Sequence, residues 1–204
     1  DFTGKSGIAT ATGHAPIPAL VNPVSGSKLA IAESLTNIVF APMKNNLKSV
    51  SLSANWMWPA KNKGENARLY DAVESISDFA CELGVNIPTG KDSLSMVQKY
   101  PNDEKVYSPG TVVISASGEI DDIKKIVEPV LVLNQETSLL YIDFAKDEFE
   151  LGGSTLGQIL NKLGKKNPTI KDNLYFAKTF DAVQELIKSN QILSGHDISE
   201  GGLI

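Results

Sequence analysis

Between Ser25 and Pro42 the apolar positions Leu29, Ile31, Ala32, Leu35, Ile38 and Val39 recur at three- and four-residue steps. That spacing predicts an amphipathic helix capped by Ser25 or Ser27 and closed near Pro42. A second such face, Leu69, Ala72, Val73, Ile76, Phe79, Ala80 and Leu83, opens after Gly64–Glu65 and is ended by Gly84. Between the two, Ser49–Asn55 alternates small polar and apolar residues and predicts a strand. Three further strands are predicted at Val85–Pro88, Ser93–Gln98 and Gly110–Ser117, and the β-branched core Thr111–Val112–Val113–Ile114 suits a central position in a sheet. Residues 1–24, punctuated by Gly and Pro, read as loop and short strand.

Beyond Ile120 the pattern weakens. Residues 121–137 are polar at both ends and read as a linker with a short helix or turn. Leu139–Phe144 is a continuous apolar run that predicts a strand, followed by helices at Ser154–Leu163 and Leu174–Ser189 and a terminal strand at Ile192–Leu193. The fold class expected is α/β of the α+β kind. It divides into an N-terminal unit, 1–120, with a mixed sheet packed by two helices, a linker, 121–137, and the start of a layered α/β unit, 138–204.

Composition narrows the function classes. With 42% hydrophobic and 21% charged residues the chain has the make-up of a globular domain, and its net charge of −5 contains no Lys/Arg cluster able to neutralise a row of phosphates. Nucleic acid is therefore not an expected partner. No run approaches the ~20 apolar residues that a membrane span needs. The lone Cys81 lies at helical spacing from apolar positions, which predicts a buried thiol in a reducing compartment, the cytoplasm. The last eleven residues, Ser194–Ile204, read as a functional loop cut off where a helix should begin, so the chain is expected to be part of a longer polypeptide.

Three constellations carry chemistry. Glu33 and Asn37, four apart on the first helix, present a carboxylate and a carboxamide on one face, hard oxygen donors of the kind that magnesium accepts. A solvated helix face is the plain alternative, weakened by the surrounding Ala, Ile, Leu and Val, among which an acid needs a partner. Gly90–Lys91–Asp92–Ser93 places a cation, an acid and a hydroxyl behind a turn glycine, suited to an anionic, hydroxylated ligand or simply to an exposed hairpin turn. Asp197 and Ser199, ahead of Gly201–Gly202, combine a metal-ligating acid with a hydroxyl and backbone amides for a phosphate. His14 and His196 lack a partner at useful spacing and read as structural, and Trp56 and Trp58 as packing residues.

Taken in order, Ala32–Asn37, LSANWMWP at Leu52–Pro59, GKDSLSM at Gly90–Met96, Leu151–Ser154 and GHDISEGGL at Gly195–Leu203 resemble the second half of the large-type phosphoribosylformylglycinamidine synthase family, within the aminoimidazole-ribotide synthetase superfamily. The resemblance implies an ATP-dependent ligase of purine biosynthesis that joins glutamine-derived ammonia to formylglycinamide ribotide, with Mg2+ and ATP or ADP as cofactors. It implies magnesium ligation by Glu33, Asn37 and Asp197, a nucleotide contact at Ser199, and substrate binding around Gly90, Lys91, Asp92 and Ser93. The partners implied are the rest of the polypeptide, a first synthetase half and a glutaminase domain, with a homodimer for the isolated segment. The segment alone is expected to be inactive. The competing reading is a non-catalytic scaffold half that holds a structural nucleotide and pairs with a sister domain.

Overall fold

The computed structural model describes residues 3–134 and 136–203. Four strands form one mixed sheet: β1 (Gly7–His14), β2 (Val50–Met57), β3 (Asn86–Ser93) and β6 (Thr111–Ile120), in the order β1-β6-β2-β3. β6 is antiparallel to both β1 and β2, while β2 and β3 run parallel, joined by the right length of crossover for a helix. A small hairpin, β4 (Val97–Lys99) with β5 (Lys105–Tyr107), projects between β3 and β6.

Strand alternation gives the sheet two unlike faces. Val50, Leu52 and Ala54 of β2 and Val112, Ile114 and Ala116 of β6 are buried on one. Across the register, Thr12, Ser115, Ser53 and Thr89 form a row of hydroxyls on the other. Only the apolar face is covered by helices.

Helix α2 (Pro23–Ile38) lies across β1 and β6, and α3 (Glu65–Leu83) packs beside it. The cap of α2 is Asn22, whose Oδ1 accepts from the amides of Val24 and Ser25, rather than Ser25 or Ser27. Pro23 sets this start, because a proline fits the first helical position, where no amide partner is needed. The helix ends at Ile38, short of Pro42. Ahead of it, within the stretch read as loop and short strand, α1 (Pro16–Val21) makes a short turn of helix. α3 follows its predicted face and ends on Gly84, but Cys81 is exposed, because the buried positions Ile76, Phe79, Ala80 and Leu83 leave it on the opposite side. Trp58 is fully buried, and its indole N–H donates to Glu65 at 2.9 Å.

Past β6, a short α4 (Thr155–Ile159) is capped by Ser154 and stops well before Leu163, where the Lys162 amide turns back to the Gly157 carbonyl. α5 (Asn173–Lys188), capped by Asp172, inserts Phe176, Phe180, Val183 and Ile187 into the same core as the sheet and α2. Phe176 meets Phe79 edge-on at 5.7 Å and Phe144 at 5.3 Å. The side chain of Gln184 is fully buried beneath this helix. It donates to the carbonyls of Val39 and Ala41 and accepts from the Met43 amide, satisfying the backbone where the chain leaves α2. Leu139–Phe144 and Ile192–Leu193, both predicted as strands, are irregular, and Leu139, Leu140 and Leu193 are exposed. Neither finds a neighbouring strand among the described residues, and an unpaired strand has no ladder to hold it.

Candidate metal centre

Gly13 brings β1 unusually close to α2, since a Cβ there would lie 2.3 Å from the Ala30 carbonyl oxygen and the Ser34 amide. This contact places Glu33 and Asn37 beside the end of β1. The Asn37 amide donates to the Thr12 carbonyl at 3.1 Å and hydrogen bonds to Glu33, so the pair predicted on one helix face does share it. The third acid arrives from the far end of the chain. Asp197 and Glu200 act on Glu33 electrostatically; burial and then these two charges push its carboxyl up to about 7, with the Asn37 hydrogen bond opposing.

Around Asp197 the setting is enclosed. Its side chain is 9% exposed, and Oδ2 is fully buried with no hydrogen-bond partner among the described residues. Oδ1 lies 3.3 Å from Nδ1 of His196, and Nδ1 of His14 lies 3.7 Å from Glu200. The Glu200 carbonyl accepts from the Thr155 hydroxyl at 2.7 Å. Ser199 is exposed on the same loop, which turns where the Gly202 amide donates to the Ser199 carbonyl.

Glu33, the Asn37 carboxamide and Asp197, one of whose carboxylate oxygens is buried without a hydrogen-bond partner among the described residues, are hard oxygen donors of the kind a divalent cation takes, and Asp197 and Glu200 lie within electrostatic reach of Glu33. Among the described residues, no three His, Cys, Asp or Glu side chains lie close enough together to hold a metal ion. Glu200 was not singled out in the sequence, and His14 was read as structural for want of a partner at useful spacing. The only signal for Glu200 was its place three residues after Asp197; for His14 there was none, because its neighbour is fixed by the tertiary fold.

Gly90–Lys91–Asp92–Ser93 is not a hairpin turn. It is the second half of β3, paired in parallel with Ala54–Met57 of β2. The glycine is required by proximity rather than by a turn, since a Cβ there would lie 2.6 Å from the Ala54 carbonyl oxygen. Lys91 reaches along the strand to hydrogen bond Ser93 on the hydroxyl-bearing face of the sheet. This segment lies apart from the acids, which gather at the α2 side of β1.

The fold is thus of the mixed α+β kind, a four-stranded sheet with α2 and α3 packed on one face. The family described as the FGAR-AT PurM_N-like domain matches residues 1–119, and the chain belongs to that family. It is 43% identical, over its full length, to a probable phosphoribosylformylglycinamidine synthase of Arabidopsis thaliana, of which it spans 14%. Among solved structures, its fold resembles Thermotoga maritima PurL complexed with FGAR, with a TM-score of 0.66, 13% identity, and coverage of 97% of this chain and 30% of that one. The same protein complexed with ATP gives a TM-score of 0.59 at 13% identity, covering 97% and 28%. No described helix is long and apolar enough to cross a membrane.

Proposed function

We propose that this chain is a segment of a phosphoribosylformylglycinamidine synthase and contributes part of a magnesium–nucleotide site to that ATP-dependent ligase of purine biosynthesis. The observation that carries this reading is the meeting of Glu33 with Asp197 and Glu200, which lie more than 160 residues further along the chain. Sequences that share only a scaffold have no physical reason to gather like charges against a half-buried helix face. In this reading Glu33, Asn37 and Asp197 hold Mg2+, and Ser199 with the amides after it meets the phosphates of ATP or ADP. The ion, when bound, neutralises the carboxylates and presents positive charge to the phosphates. Before that, these residues orient the site: Asn37 fixes Glu33, and burial of Asp197 keeps water from one of its oxygens.

The hydroxyl face bearing Lys91 and Ser93, with Gly90 and Asp92 on the same strand, is the surface for substrate and for a sister domain, and residues 121–137 link the two units of the chain. A first synthetase half and a glutaminase domain complete the enzyme, so the segment by itself makes no product. The unpaired cysteine suits the cytoplasm. Calorimetric titration with Mn2+ as a stand-in for Mg2+ tests the site. The chain binds Mn2+, and Glu33→Ala and Asp197→Asn each weaken it at least tenfold; titrations of all three that superimpose overturn the metal reading in favour of the scaffold one. Product formed by the purified segment from ammonia, ATP and formylglycinamide ribotide overturns the prediction of inactivity.

A further inference from the structure

The loop that carries Asp197 and the helix that carries Glu33 are joined at a contact with no polar side chain in it. Phe40 follows directly on the end of α2, and its carbonyl accepts from the Val127 amide at 3.0 Å. The next residue, Glu128, accepts at its carbonyl from the Gly195 amide at 3.1 Å. Gly195 in turn lies on the Phe40 ring so closely that a Cβ would sit 2.2 Å from Cε1 and 2.8 Å from Cδ1. Backbone conformation does not demand a glycine here, since Gly195 is not among the positive-φ residues. Space does. The ring is itself packed against the core, which limits how far it can withdraw.

From Gly195 the chain reaches Asp197 in two residues, a span of at most about 7 Å. The other end of the loop is held where Thr155 donates to Glu200. The acids are thus suspended between two fixed points, and the first of these is a glycine seated on an aromatic ring.

We infer that Phe40 and Gly195 are positioning residues that set Asp197 against Glu33. Neither touches the cation site; each acts through the path of the loop. The inference deepens the metal reading above and rests on it for the affinity measurement, while the loop geometry is tested without metal. Four forms of the 204-residue chain are compared: wild type, Gly195→Ala, Phe40→Leu and the double variant, each checked for folding by circular dichroism. Phe40→Leu removes Cε1, the atom nearest the added methyl, and keeps an apolar side chain against the core.

Nuclear Overhauser contacts from the amides of residues 196–198 to α2, recorded without metal, report the loop position. The Mn2+ dissociation constant reports the site. Gly195→Ala is expected to lose those contacts and to weaken Mn2+ about tenfold. Phe40→Leu alone stays within about threefold of wild type, and the double variant regains both the contacts and the affinity. Gly195→Ala with unchanged contacts, or a double variant no better than Gly195→Ala, overturns the inference. If Mn2+ binds to none of the four, the metal reading fails and the contacts alone decide the positioning role.

Discussion

Glu33 has neighbours that make its carboxylate costly: partial burial first, then Asp197 and Glu200. Its carboxyl is raised from 4.5 to about 7, so the protonated form is the one the fold favours. The stability this contributes is complete below pH 4.5 and is lost as pH rises through about 7. In the absence of divalent cations, the melting temperature is therefore expected to fall between pH 5 and pH 8, and Glu33→Gln to flatten that slope. Mg2+ at pH 8 should restore wild type and raise Glu33→Gln much less, because the variant keeps Asp197 and Asn37 but lacks the Glu33 carboxylate that the cation neutralises. Equal pH slopes in the two proteins, followed by thermal melts, would refute this. That Glu33 and Asn37 share a helix face was legible from spacing; their role as metal ligands came only from the family resemblance. Of the residues that perturb Glu33, Asp197 was joined to it only through the family resemblance and Glu200 not at all, since nothing local relates position 33 to positions 197 and 200.

At the scale of elements, α5 is attached by one side chain as much as by its apolar face. Gln184 alone satisfies the Met43 amide and the carbonyls of Val39 and Ala41 within a buried site. Gln184→Leu keeps the volume approximately and orphans all three groups, each of which costs about 1–3 kcal/mol when buried unpaired. Partial relaxation brings the expected loss to roughly 2–4 kcal/mol, read as a lower urea midpoint at unchanged slope. A loss below ~1 kcal/mol would mean that water reaches the 39–43 turn. α2, α3 and α5 were readable because each carries its apolar period within its own residues, whereas the six-residue α1 is too short to show one and the start of α2 is set by Asn22 and Pro23 ahead of that period. Gly90–Ser93 was misread for the same reason in reverse: glycine, lysine and aspartate are turn residues locally, yet a parallel partner, β2, draws them into a strand.

For the whole molecule, Phe176, Phe180, Val183 and Ile187 share one core with β2, β6 and α2. Full-length chain is expected to unfold in one transition, with Trp58 fluorescence and helical circular dichroism superimposing, and a piece ending at residue 120 to melt at least 10 °C lower or to aggregate. Two separated transitions would show that α5 is dispensable to the sheet. Val130, Leu131, Leu133, Leu139 and Leu140 are exposed, and no helix among the described residues covers the hydroxyl face of the sheet. Light scattering at micromolar concentration is expected to give a dimer of the isolated chain; a clean monomer would count against it. The sequence by itself determined what is encoded in short windows: the faces of α2 and α3, the end of α3 at Gly84, the central strand β6, and one helical pair of oxygen donors. The tertiary structure alone decided which apolar runs become strands, because a strand exists only with a neighbour to complete its hydrogen bonds. It alone also decided that Asp197 and Glu200 come to rest against Glu33, because an electrostatic site is a fact of distance through space and not along the chain.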